Sequence, residues 1–377
     1  MIKNKFIQNL LFLQKFIIEK VFEFLLLPLN LFLSSKVKYN YQKGSVIQLA
    51  YLRELSYRNV ELLKKNDVNV KYMAFGKSNL WKKADYCVTF SINPIIAVIQ
   101  QYFWFWKVLA KFEIIHSHIM MMLSVSGWEI KLLKKMNRKI LVHYRGCEIR
   151  DWRKNIQLHP KLNICQNCDY GRIRCDDLKA KYQRRVFDRF SDKELVTTPD
   201  LLDFVPKAEY FPFFAPEVKE LELPENKDPH IVMVTNHPGI DGLYEVKEIL
   251  KRLQREGLKF SYELLVRVSM ERIKQSYQKA DLTIGKMKMG FYANSQIESM
   301  MMGIPTVSYI RNDLERQYEI PEMLINTSLD NLKNTIRELL KNPKKLKEIR
   351  RKTRKSIIDI HKNKLLVTKI KKIYSKI

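Results

Sequence analysis

Between Gly290 and Ile310 the chain reads GFYANSQIESMMMGIPTVSYI, with one carboxylate, Glu298, standing among methionines. The segment predicts a turn, then a helix starting near Tyr292 to Ser295. First-turn amides of such a helix have no internal partner and carry partial positive charge, which suits a phosphate. Gly290, Ala293, Asn294 and Ser295 are small or short enough to let a ligand approach that backbone. A carboxylate one turn further in cannot bind a phosphate, but it can accept two hydrogen bonds from vicinal hydroxyls, as a ribose or hexose presents. Spacing alone equally allows a glutamate that only favours the helix dipole.

Two further groups of residues could carry chemistry. HPKLNICQNCDYGRIRC places His159, Cys165, Cys168 and Cys175 close in sequence. Cys-x2-Cys suits one tetrahedral metal, and Cys175 with His159 or Cys147 could complete a closed, structural zinc site. Ordinary reduced cysteines are the alternative, and Cys87 reads as a core residue. The run FEIIHSH ends on His116 and His118, and a histidine at a strand end serves structure as readily as catalysis.

These residues need a frame. VIQLAYL, VNVKYMAFG, FEIIHSH (112–118) and KILVHYRG (139–146) read as strands, with helical stretches such as SYRNVELLKK between them. ELELPENKDPH (220–230) is a Pro- and charge-rich break that reads as a linker. Beyond it the alternation restarts with IVMVTN, a helix bearing Val246, Ile249, Leu250 and Leu253 and stopping at Gly257, then FSYELLV, another helix and DLTIG. Met300 to Met302 form the buried side of the helix that holds Glu298, Gly303 ends it, and TVSYI is the next strand. Strands alternating with helices predict two α/β units, each a doubly wound parallel sheet. The expected division is an apolar helical leader (1–43), a first domain (44–219), the linker, a second domain (231–355) and a basic C-terminal helix (356–377) that could cross back to the first domain.

The chain has 377 residues, is 46% hydrophobic and carries a net charge of +28. It can build real cores, which excludes global disorder, and its charge favours anionic partners: nucleic acid, anionic lipid or phosphorylated substrates. Five cysteines and no small-residue cleavage site after the leader point to a reducing, cytoplasmic location. The leader FIQNLLFLQKFIIEKVFEFLLLPLNLFLSS is very apolar, but Lys15, Glu19, Lys20 and Glu23 interrupt it, and Pro28 and Asn30 fall in its longest uncharged run. Lying in a membrane interface fits it better than crossing. Packing on the protein's own surface is the other possibility. From Lys341 onward the chain holds fifteen Lys or Arg against Glu348 and Asp359, either a solvated helix face or a patch for lipid phosphates. YFWFWKVLAKF (102–112) sets aromatics beside lysines, which suits a core helix or an interfacial anchor.

The segment around Glu298 closely resembles the donor site of GT-B glycosyltransferases of the large retaining family 4. The branch it looks like has a Gly-aromatic-Tyr turn, then Glu-x-Met, then Gly-x-Pro-x-Val-x-Tyr. Most of that family pairs two glutamates; here the second is Glu298 and Gly290 stands at the first position. FEIIHSH resembles the family's Asp-x-x-His-x-His strand end. LVHYRGCEIRD resembles its His-x-x-Gly-x-Asp-x-Arg turn, with Arg150 matching. LVTTPDLLDFVPKAEYFPF resembles the close of its first domain, and NHPGIDGLYEVKEILKRL the opening of its second, with Asp241-Gly242 where the family has Lys-Gly.

The resemblance implies two Rossmann-like domains facing a cleft and a nucleotide-diphospho-sugar donor held mostly by the second. Glu298 grips sugar hydroxyls, and amides near Ala293 to Ser295 cradle phosphate. Arg267, or Lys286 and Lys288, replaces the missing lysine. His118 points at the reacting sugar, and Arg145, Gly146 and Arg150 line the cleft toward the acceptor. No metal or other cofactor is required for catalysis, because cations and helix dipoles neutralise the leaving group. The apolar leader, the aromatic helix and the basic tail together suggest a lipid-linked saccharide or glycan acceptor and an anionic membrane surface, with the protein peripherally or monotopically attached. Two other readings stand beside this one. A catalytically degenerate GT-B scaffold is motivated by Asp241 and Gly290. A nucleic-acid-binding protein with a zinc knuckle is motivated by the charge, but no helix-turn-helix, RNP or Walker pattern supports it and no specific nucleic acid is expected.

Overall fold

The computed structural model describes the chain except Met1 and residues 52–53, 77–82, 172–174, 176–177, 213, 223 and 225; of 2–6 and 54–55 it describes the backbone alone. The chain opens with α1 (Ile2–Leu25), α2 (Leu27–Val37), β1 (Gln42–Tyr51), α3 (Glu54–Lys65), β2 (Val70–Phe75), β3 (Tyr86–Val88) and α4 (Pro94–Lys107). It continues through β4 (Phe112–His118), α5 (Trp128–Lys135), β5 (Lys139–Tyr144), α6 (Trp152–Leu158), α7 (Leu178–Phe190), β6 (Lys193–Val196) and β7 (Glu209–Tyr210). These strands form one parallel sheet in the order β3-β2-β1-β4-β5-β6-β7.

The second unit starts with β8 (His230–Thr235), α8 (Pro238–Asp241), α9 (Leu243–Arg255), β9 (Ser261–Val266), α10 (Met270–Gln278) and β10 (Leu282–Ile284). It goes on with α11 (Asn294–Met301), β11 (Thr306–Ser308), α12 (Asn312–Gln317), β12 (Leu324–Asn326), α13 (Leu329–Lys341), α14 (Pro343–Ile360) and α15 (Asn363–Lys376). Its sheet is also parallel, in the order β12-β11-β10-β8-β9. Two doubly wound sheets of this kind put the carboxyl ends of their strands, and hence their ligand crevices, at one edge of each unit. The linker region 220–230 lies partly outside the described residues, because 223 and 225 are among those left out.

Alternation along β1 divides the first unit into two cores. Ile47 and Leu49 face α4 and α5, with Phe105, Trp128 and Leu133 in the same cluster. Val46 and Ala50 face the other way, against α3 and against Leu366, Ile370 and Tyr374 of α15. The last helix therefore packs on the first unit. α1 and α2 lie on the α4 side, where Ile18, Phe22, Leu26 and Val37 rest on the first of these cores. Among the described residues no helix is long and apolar enough to cross a membrane.

On the α15 side the sheet carries a polar belt. His116, His118 and His143 are buried together with Gln48. The rings of His116 and His118 stack with centroids 4.2 Å apart. Nδ1 of His116 meets the Tyr374 hydroxyl at 2.8 Å, and Nε2 of His118 meets Gln48 Oε1 at 3.1 Å. Burial holds all three imidazoles neutral, helped by Arg145, and pushes His143 down to about 3. The native state thus binds fewer protons than the unfolded chain between the ordinary histidine range and about pH 3. The stability these histidines contribute is full above about pH 6.5 and falls as pH drops through that window. Buried Glu129, raised to about 6 by desolvation, acts oppositely, gaining stability as pH falls from 6 toward 4.5, and Glu19 and Glu298, which burial also raises, act with it; buried His361, lowered to about 4, acts with the histidine belt. Urea unfolding at a series of pH values checks this; the midpoint should fall steadily below pH 6.5, and less so in His118→Gln.

Candidate active site

The segment from β10 to β11 folds as one piece. Gly285 follows β10, and a Cβ there would meet Gln296 Cγ at 2.5 Å, so a side chain there would displace the glutamine that caps α11. Gly290 has φ +86°, and a side chain there would also strike Arg311. Beneath α11, Thr283, Ser299 and Thr306 join their hydroxyls at 2.8–3.2 Å, which fixes the helix on β10 and β11. Met300, Met301 and Met302 are buried behind it, as their spacing predicts. Glu298 lies across the helix from Met300, on a separate face.

That face opens on a cleft of about 700 Å³ lined by both units. The first contributes Ile119, Met120, Arg145, Gly146, Glu148 and Thr198, among others. The second contributes His237, Asp241, Lys286, Asn294, Ser295 and Glu298, among others. Ile119 and Met120 have φ of 57° and 51°, so the turn after β4 presents a left-handed backbone to the cleft. Glu298 is half-buried; burial raises its pKa and Arg58 of α3 opposes the rise. Among the described residues no donor reaches its carboxylate, which leaves both oxygens for a ligand.

The helix end departs from expectation at one amide. The Ala293 N–H donates to Gln296 Oε1 at 2.9 Å, so this glutamine caps the helix from within. Asn294 and Ser295 remain to meet an anion.

The candidate cations separate sharply. Lys286 lines the cleft, and its Nζ lies 2.6 Å from Asp241 Oδ1. Asp241 is buried; its other oxygen accepts from the Thr235 hydroxyl at 2.5 Å, and its carbonyl accepts from the Met287 amide. The acid at this position therefore steers a lysine supplied by the neighbouring strand end. Lys288 does not reach the cleft: it is buried against Glu245 at 2.5 Å and the Gly239 carbonyl. Arg267 is exposed, outside the cleft lining, with Nε on the Asn236 carbonyl at 3.0 Å. Of the two lysines, only Lys286 lines the cleft, and Lys288 is buried.

On the first unit, Arg145 and Gly146 border the cleft. Arg150 borders it too, but its guanidinium is buried in an ion pair with Asp200 and donates to Cys147 Sγ at 3.8 Å, so it braces the floor. His118 does not line the cleft. Residues 116 and 118 share one face of β4, and both rings lie in the belt under α15.

The expected zinc set is not assembled. His159 Nε2 lies 2.9 Å from Asp203 and 2.7 Å from Arg311 Nη1, so it belongs to a contact between the units. Arg311 and His159 hold Asp203 at about 2 against the effect of burial. Cys165 and Cys168 share a small apolar cluster with Cys147, and Cys175 lies within electrostatic reach of Cys165. Among the described residues the only group of three ligands within metal reach of one another is His116, His118 and His143.

The residues that sequence reasoning missed are His237, Tyr170 and Arg58. His237 lines the cleft and bonds the Tyr170 hydroxyl at 2.8 Å, while the neighbouring Asp169 accepts from the Gly239 and Ile240 amides at 3.0–3.1 Å. The signal for His237 was its place directly after the strand IVMVTN.

Two parallel α/β units facing one cleft define the GT-B fold. No family profile matches the sequence, and no curated protein matches it. Solved structures do. Sucrose-phosphate synthase from Thermosynechococcus elongatus aligns with TM-score 0.60 at 10% identity, over 89% of this chain and 99% of its own. TarM aligns with TM-score 0.62 at 8% identity, over 89% and 99%. Anabaena HepE, solved in complex with UDP-glucose, aligns with TM-score 0.58 at 10% identity, over 88% and 100%. At such identity the likeness carries the fold, and it extends over nearly the whole of each neighbour.

Proposed function

We propose that the protein is a retaining, family 4-like glycosyltransferase that moves a sugar from a nucleotide-diphospho-sugar to a lipid-linked saccharide or glycan at a membrane surface, in cell-surface polysaccharide or glycolipid synthesis. The observation that carries the proposal is the juxtaposition, in one cleft, of the free Glu298 carboxylate, the α11 end and Lys286. HepE holds UDP-glucose, and S. aureus TarM has been solved with UDP and alpha-GlcNAc-glycerol, which makes UDP-sugars the first donors to try.

In this reading the diphosphate lies against the Asn294 and Ser295 amides with Lys286 beside it. As the glycosidic bond breaks, negative charge grows on the leaving phosphate, and fixed donors and a steered cation stabilise it without reorganising. Glu298 accepts from two adjacent hydroxyls and so fixes the donor's orientation. The acceptor enters over Arg145 and Gly146, and the exposed backbone after β4 faces the reacting carbon. His118 serves this turn by fixing the end of β4 and does not touch the sugar.

Burial of His118 also favours a second reading, in which the fold is kept as a scaffold without turnover. Thermal-shift measurements with UDP-, GDP- and CDP-sugars, followed by donor hydrolysis, separate the two. The transferase reading predicts a rise in melting temperature with one nucleotide class and slow release of free sugar. No shift with any class would overturn it.

A further inference from the structure

The leader helices are fixed to the first unit by buried polar contacts. Glu19 is 1% exposed and accepts from Gln101 Nε2 at 2.9 Å and from the Ser126 amide at 2.7 Å. At the far end, the Arg138 guanidinium donates to the carbonyls of Val37, Lys38 and Ala110 at 2.9–3.2 Å. Glu19 thus docks the helix on its own protein, and Glu23 adds Lys131 of α5 at 3.4 Å. The outward face of α1 is largely apolar: Leu10, Ile17, Val21 and Phe24 recur at helical spacing with Gln14 the polar residue among them, and Phe24 is 77% exposed. Leu29 and Phe32 extend the stripe onto α2.

α4 touches α1 and adds a second exposed stripe of Ile95, Ile96, Ile99 and Phe103, with Ile92 96% exposed just before it. Exposed apolar stripes on two touching helices mark an interaction surface. Its border is cationic. Lys36 Nζ lies over the Phe32 ring, 4.4 Å from its centroid, and Lys107 Nζ over that of Phe103 at 4.7 Å, so each ammonium sits against an exposed ring of the stripes.

We infer that this face of α1, α2 and α4 docks on an anionic phospholipid bilayer, with the helices lying in the interface plane. Apolar side chains enter the acyl boundary and the bordering lysines meet head-group phosphates. A second copy is the poorer occupant, because it would press two lysine borders together in a chain of net charge +28. The basic tail is not part of this surface, since α15 covers the opposite face of the first sheet. The packed side of α1 also touches an element that lines the cleft. Phe16 of α1 meets Tyr182 of α7 with ring centroids 5.1 Å apart, and the next residue, Gln183, lines the cleft. A saccharide on a lipid anchor would reach the acceptor side along α7; this last step alone rests on the transferase reading.

The test is cosedimentation of the full chain with phosphatidylcholine vesicles, with and without roughly a third phosphatidylglycerol. The expected result is binding about tenfold or more tighter to the anionic vesicles. Ile17→Asn/Val21→Asn/Phe24→Asn should weaken it about tenfold or more, and Ile95→Asn/Ile99→Asn should act in the same direction, with melting temperature and donor thermal shift unchanged in both. Glu298→Ala should leave vesicle binding intact, so loss of donor binding and loss of docking are read separately. Undiminished binding in both surface variants would overturn the inference, as would a wild-type protein that ignores vesicles and forms a dimer the variants abolish.

Discussion

Glu298→Ala lowers donor turnover by about a hundredfold or more, while the melting temperature without ligand stays within a few degrees of the parent. The carboxylate is half-buried, lines the cleft and has no partner among the described residues, so the native fold does not depend on it. A bound donor does: two hydrogen bonds to a charged acceptor contribute about 1.5–3 kcal/mol each. Glu298→Gln keeps the shape and one acceptor oxygen and should fall between the two. Steady-state hydrolysis of the nucleotide-sugar checks the series. If Glu298→Ala turned over like the parent, the carboxylate would be no more than a helix-end charge.

Lys286→Met reduces turnover by about 10²–10³, the range seen when one preorganised donor to a developing anion is removed. Most of the loss should fall on kcat, because the charge it meets grows as the leaving group departs. Lys286→Arg should recover much of it, since the Asp241 carboxylate would hold a guanidinium in the same place. Lys288→Met is the control: its charge is buried against Glu245, so the change should lower stability and leave the turnover of the folded fraction near that of the parent. Equal losses of turnover in Lys286→Met and Lys288→Met would contradict the assignment.

Local features of the site were legible from the residues, and long-range pairings were not. The helix stop at Gly257 and the buried Val246, Leu250 and Leu253 follow from period and turn chemistry, and α9 ends within two residues of the predicted stop. The glycine turn, the methionine-backed helix and the strand at Thr306 were readable for the same reason. That His116 and His118 share a strand face also follows from strand period; that Tyr374 would cover them depends on a contact spanning most of the chain. Asp241 with Lys286, and His159 with Asp203 and Arg311, likewise join residues from separate elements. Cys-x2-Cys spacing suggested a metal knuckle, but the nearby histidine is drawn into the contact between the two units instead.

The most direct measurement is photoaffinity labelling with an azido nucleotide-sugar of the class that gives a thermal shift, mapped by peptide mass spectrometry. The account predicts label in the segments 234–241 and 286–298, abolished by excess unmodified donor and much reduced in Glu298→Ala. Label confined to the basic helices α13 and α14, or spread over the surface and indifferent to competing donor, would contradict it.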